Sequence, residues 1–204
     1  MTLTIVILVA GAILLVNGRT AGAVFAYSFL ALVLSAFDLG AALALPGTFA
    51  LFTVATLLKV VLAPLGILWF VRVNPAAADL RPSLPTAARL ALAIAFALLA
   101  EAATRLPALA SAVAHADLAA FVILCGVGML MIFRNLLAQM IGLLVLGIGI
   151  GFAGSMLAPG LPESIELGAT FDALVATFIG LALVRAMVVH DPLLDVETLR
   201  RLRG

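Results

Sequence analysis

Two charges lie alone inside long apolar runs: Lys59 in LLKVVLAPLGI (57–67) and Asp172 in TFDALVATFIGLALV (170–184). A charge near the middle of a hydrocarbon layer costs at least ~2.5 kcal/mol, so it normally faces protein or water. Two chemistries fit such residues. Burial pushes both groups toward neutrality and a neighbouring charge pushes them back, which suits a proton relay. Opposite signs suit a structural ion pair between helices equally well. Lys59 lies 13 residues before Arg72, and Asp172 lies 13 residues before Arg185. In helices, both stand about 20 Å from an arginine, at matching depth. Pro64 cannot donate to the carbonyl of Val60, so a kink beside Lys59 is expected.

The remaining polar residues carry weaker signals. Gln139 and Asn135 lie toward an arginine-rich end and suit solvation or interhelical hydrogen bonds, with Gln139 a possible polar support for a pathway. Glu101 and Asp38 fall near the opposite surface and read as interfacial charges, Glu101 being a second possible support. His115 and His190 have no metal-ligand neighbours and read as solvated, so no metal site is expected. Cys125 is the single cysteine. It forbids an internal disulfide framework and reads as a small packed hydrophobe. There is no cysteine cluster, phosphate loop or haem histidine pair. No cofactor is expected, and the chain is not expected to be an enzyme by itself.

The elements that position Lys59 and Asp172 follow from composition. Of 204 residues 66% are hydrophobic and 10% charged, with net charge +1, and the mean hydropathy is +1.34. So few charges cannot cover a soluble domain. A soluble enzyme, a nucleic-acid binder and a disordered chain are thereby excluded. A lipid bilayer is the solvent this composition fits, where each helix of about 20 apolar residues crosses a core of ~30 Å. The first 18 residues carry no charge, which reads as a retained first helix and not a cleaved signal.

Uncharged intervals predict seven spans, making an all-α integral membrane protein: 2–17, 20–37, a third starting near Pro46-Gly47 and containing Lys59, 86–103, 118–133, 135–157 and 167–189. A proline-rich loop occupies 72–89. Seven spans put Arg19, Arg72, Arg81, Arg89, Arg134, Arg185, Arg200, Arg201 and Arg203 on one side, with only Arg105 opposite. That bias makes the rich side cytoplasmic, with the N-terminus outside and the C-terminus inside.

Arg19 and Arg134 each open a helix rich in small residues, and each of those is followed by a helix with one buried ionisable group. This suggests a tandem repeat of parallel three-helix units. The divisions are 1–73 for the first unit, 74–105 for the loop and connecting fourth helix, 106–190 for the second unit, and 191–204 for a cytoplasmic tail. Similar spacings also arise simply because basic residues mark cytoplasmic ends. In the sixth helix Gly142, Gly147, Gly149, Gly151 and Gly154 read as a packing face, with Gly147 and Gly151 in a small-xxx-small pattern.

Three stretches resemble the small three-helix K subunit of bacterial complex I: RNLLAQMIGL (134–143), TFDALVATFIGLALV (170–184) and LDVETLRRLRG (194–204). Over the full length the chain resembles component E of hydrogenase-4, through LLKVVLAPLGI (57–67), ELGATFDA (166–173) and the tail. The resemblance implies a multi-pass subunit of the bacterial inner membrane. It would belong to an energy-converting complex that couples hydrogenase or formate hydrogenlyase chemistry to proton or sodium movement. Antiporter-like subunits would be its partners, and the redox centres would lie in other chains. It further implies a proton-pathway role for Asp172 and places Lys59 as the third-helix lysine. The family's usual glutamate after RNLL is missing, since Leu144 and Gly147 occupy the candidate positions. The rival readings are a purely structural bridging subunit and a small stand-alone carrier built from repeats.

Overall fold

In a computed structural model, residues 2–44, 48–105, 115–157 and 163–188 are described. The Pro46-Gly47 break, His190 and the tail 191–204 lie outside the described residues, as does the side chain of Asp38. Among the described residues the chain forms seven helical rods: α1 (Thr2–Val16), α2 (Thr20–Ala44), a third rod, α5 (Thr86–Thr104), α6 (Ala116–Ile132), α7 (Leu136–Leu157) and α8 (Glu163–Val188). The third rod is continuous but composite, with α3 (Thr48–Leu57), a π turn (Leu58–Leu62) and α4 (Ala63–Val73). Four rods are long and apolar enough to cross a membrane: α2, α3 through α4, α5 and α7. The apolar helices α1 and α6 are shorter, at 15 and 17 residues.

The helix boundaries depart from the uncharged intervals where a charge ends an interval without ending a helix. α2 runs past Asp38 to Ala44, and α8 begins at Glu163 instead of Leu167. Hydropathy marks where a stretch becomes apolar, whereas the backbone hydrogen-bond ladder continues through polar residues.

Each of the first three rods packs against the rod four places later in the chain: α1 on α6, α2 on α7, and α3 and α4 on α8. The tightest contact joins α6 and α7, where small residues let backbones approach. A Cβ on Gly126 would stand 2.7 Å from the Leu146 backbone nitrogen, and one on Gly142 would stand 2.9 Å from Met129 Cβ. Cys125 is fully buried in this core. Gly126→Val should therefore cost about 1–3 kcal/mol, the usual penalty for overpacking. Gly154→Ala, with nothing within 4 Å of the new methyl, should be neutral or slightly stabilising. Thermal unfolding in detergent compares them; equal melting of the two variants would refute this account of the α6–α7 contact.

The proline-rich segment between α4 and α5 is a strap, held at one end of the bundle. It carries a short 3-10 helix (Pro75–Ala78) and isolated bridges pairing Arg19 with Asp79 and Pro82 with Phe133. Leu80 N–H donates to the Gly18 carbonyl at 2.9 Å, and Ser83 N–H donates to Ile132 at 2.8 Å. Asn135 adds a side-chain tie, its Nδ2 donating to the Asp79 carbonyl at 2.9 Å. Between these anchors Arg81 has φ +46°, a backbone strain that persists because both flanks are fixed. The strap thus joins the α1–α2 turn to the α6–α7 turn.

Arg89, on the first turn of α5, is 5% exposed. One Nη donates to the carbonyls of Val16 (2.7 Å) and Leu15 (3.4 Å), and the other donates to Thr86 Oγ1 (3.0 Å). The guanidinium lies 5.9 Å from the Phe133 ring centroid. It caps the C-terminal carbonyls of α1, which have no partners within their own helix and carry the negative end of its dipole.

Candidate functional site

Lys59 sits inside the π turn, half-buried. The turn has a local cause. Pro64 has no N–H to give, either to Val60 in α-helical spacing or to Lys59 in π spacing, so the ladder must be reset just before it. The structure resets it by widening: Ala63 N–H bonds back five residues to the Leu58 carbonyl. Such π turns recur at functional positions in helices.

The lysine lines a cavity of about 260 Å³, open on one side, between α2, the π turn, α7 and α8. Its walls are mostly apolar, and the polar groups on them come from Lys59, Tyr27 and Thr170. Tyr27, on α2, is only 2% exposed and borders the cavity. Gly147, Ile150 and Gly151 on α7 border the cavity and are themselves exposed. A Cβ on Gly147 or Gly151 would meet nothing within 4 Å. This corrects the reading of those two glycines as a packing face. The packing glycines are Gly126, Gly142 and Gly149, while Gly147 and Gly151 keep the cavity mouth open.

Asp172 is level with this cavity but outside it. Thr170, Ala173 and Leu174 of α8 line the cavity, and each step along a helix turns the side chain by about 100°. Buried Thr170, Leu174, Thr177, Leu181 and Val184 define the inward face of α8 at spacings of three and four. Asp172 falls on the opposite face, exposed between Val175 and Ile179 one and two turns on. Its carboxylate makes no hydrogen bond or ion pair among the described residues. The equal level of Lys59 and Asp172 expected from their spacing is met, but the direct pair is not formed. The stripe that packs α8 inward also turns Asp172 outward.

The other candidate residues stand apart. Glu101 is exposed at the far end of α5 and pairs with Arg105 at 3.6 Å, an exposed contact of little energetic weight. Gln139 is half-buried near the start of α7 and does not line the cavity. Asn135 is 2% exposed, and its Oδ1 accepts the Leu137 N–H at 2.8 Å, so it caps α7 as well as holding the strap. No three His, Cys, Asp or Glu residues come together as a metal site among the described residues. Tyr27 and Thr170 were missed by sequence reasoning. Tyr27 is the chain's single tyrosine, placed within the small-residue run of α2, and that was the available signal. Compared with protein-family models, curated proteins and solved structures, the chain finds no match.

Proposed function

We propose that the chain is a seven-span inner-membrane subunit of an energy-converting redox complex related to hydrogenase-4 and complex I. It contributes to proton or sodium movement beside antiporter-like subunits, with Lys59 and Asp172 as its polar stations. The N-terminus lies outside, the C-terminus inside, and two parallel three-helix units flank the connecting α5. The observation that carries the reading is the pair of levels: a lysine at a π turn on the wall of an open-sided cavity, and a carboxylate at the same level on an outward face. A carboxylate at mid-depth facing lipid costs at least ~2.5 kcal/mol, so a neighbouring chain covering α8 removes that cost. The pairing of α1 with α6, α2 with α7, and α3 and α4 with α8 supports the parallel units.

Purification through a C-terminal tag in mild detergent, with mass spectrometry of what accompanies the chain, tests this directly. Antiporter-like chains together with a metal-cluster arm are expected. A monodisperse chain that emerges alone and remains functional would overturn the proposal and favour a stand-alone carrier.

One observation favours a second reading. Asp172 points away from the cavity, as a docking charge would, so a purely bridging subunit uses the same face without conducting ions.

A further inference from the structure

Asp172 stands more than two turns from either end of α8, exposed and with no hydrogen bond or ion pair among the described residues. The other exposed charges on the described helices, Arg72, Glu101 and Arg185, lie within a turn of a helix end. Asp172 shares its face with Val175, Ala176, Ile179 and Leu183, all exposed and spaced by three and four residues. The face is therefore apolar except for one carboxylate at mid-depth. A carboxylate only accepts hydrogen bonds, so lipid tails offer it nothing, and an apolar helix laid over it would leave it equally unsatisfied. A cationic donor satisfies it. Charged residues within membrane spans pair with one another, and a hydrogen bond between charged groups is about twice as strong as one between neutral groups. The chain's own cation at this level does not serve, since Lys59 is half-buried on the cavity wall and already engaged within the chain.

We propose that this face of α8 seats a transmembrane helix of a different subunit, and that the helix carries a lysine or arginine at the level of Asp172. The occupant is a helix because a backbone inside the hydrocarbon layer must satisfy its own hydrogen bonds. Ala176, one turn from Asp172, lets the two backbones approach. A second copy of this chain does not fit. A two-fold contact is self-complementary, so through this face it would turn Asp172 toward Asp172 and set like charges against each other. The inference rests on the reading that a neighbouring chain covers α8, and adds which kind of neighbour matches the face.

The test uses the full chain in native membranes, with the photoreactive residue p-benzoylphenylalanine placed at Ile179, on the face of Asp172, and separately at Leu98, on the exposed side of α5, as a control. Mass spectrometry of the Ile179 adduct should give one membrane span of another subunit. That span should hold a lysine or arginine about 10 Å along the helix from the crosslinked residue, the rise between Ile179 and Asp172. Asp172→Lys should lower recovery of that subunit with the tagged chain by at least about tenfold, because like charges then face each other. Glutamate in place of the partner's basic residue should restore recovery in the same background, which a misfolded chain would not allow. Asp172→Asn, whose amide oxygen still accepts from the cation, should keep the subunit bound. An adduct with a span lacking a basic residue at that level, with a second copy of this chain, or with lipid alone would overturn the inference and leave the wider complex standing. Unchanged recovery with Asp172→Lys would do the same. A purified chain that carries no membrane subunit at all would overturn both.

Discussion

Asp172→Asn is expected to abolish ion movement by the assembled complex while leaving the complex intact. The substitution keeps the size and hydrogen-bonding shape of the side chain but removes its charge and its ability to exchange a proton. Because Asp172 lies exposed on the outer face of α8 and makes no hydrogen bond or ion pair among the described residues, its charge is not needed to pack α8 against the described helices. A station in an ion path therefore loses function without losing structure. The expected readout is a fall of at least about tenfold in ion uptake by inverted membrane vesicles driven by the redox reaction, equivalent to more than ~1.4 kcal/mol on the transfer step. Subunit composition should remain unchanged. Lys59→Met should lower uptake in the same way. If Asp172→Asn pumps normally but the complex dissociates more readily in detergent, the carboxylate is a docking charge and the bridging reading replaces the conducting one. Normal pumping with normal assembly would remove Asp172 from the function altogether.

The helices were legible because a bilayer forces long uncharged intervals, and such intervals are visible in sequence. Their ends were less legible, since Asp38 and Glu163 sit within helices although each interrupts an apolar run. The common level of Lys59 and Asp172 could be read from equal spacing to Arg72 and Arg185. Their facing could not, because it depends on which side of α8 its neighbours occupy, and a charge count carries no rotational information. The glycines of α7 show the same gap. Gly147 and Gly149 look alike in sequence, yet a Cβ on Gly149 would meet Ile123 while one on Gly147 would meet nothing. The proline-rich segment is a loop by composition, and only the folded chain reveals it as a strap tied to two turns. Tyr27 needed the cavity before its position on α2 had meaning.

Arg89 was the least legible residue and has the largest expected effect on stability. In sequence it is one arginine among several at the same end, yet it differs from exposed Arg19, Arg72 and Arg134 in being almost wholly buried. Its guanidinium makes three hydrogen bonds, two of them to the last carbonyls of α1, while its Nε remains without a partner among the described residues. Hydrogen bonds from a charged donor contribute about 1.5–3 kcal/mol each, and a buried acceptor left alone costs about 1–3 kcal/mol. Arg89→Met keeps most of the volume and removes every donor, so a loss of about 3 kcal/mol or more is expected. For a chain of this size that corresponds to melting roughly 6–12 °C lower. Arg89→Lys should recover only part of the loss, since a single ammonium cannot reproduce the planar fork that spans Val16 and Thr86. The damage should appear where α1 meets the strap, as faster backbone hydrogen exchange at Leu15 to Gly18 and at Leu80. Unchanged melting of Arg89→Met would mean that the α1 terminus is held by the strap alone, through Leu80 N–H on Gly18, and that the buried arginine adds nothing to it.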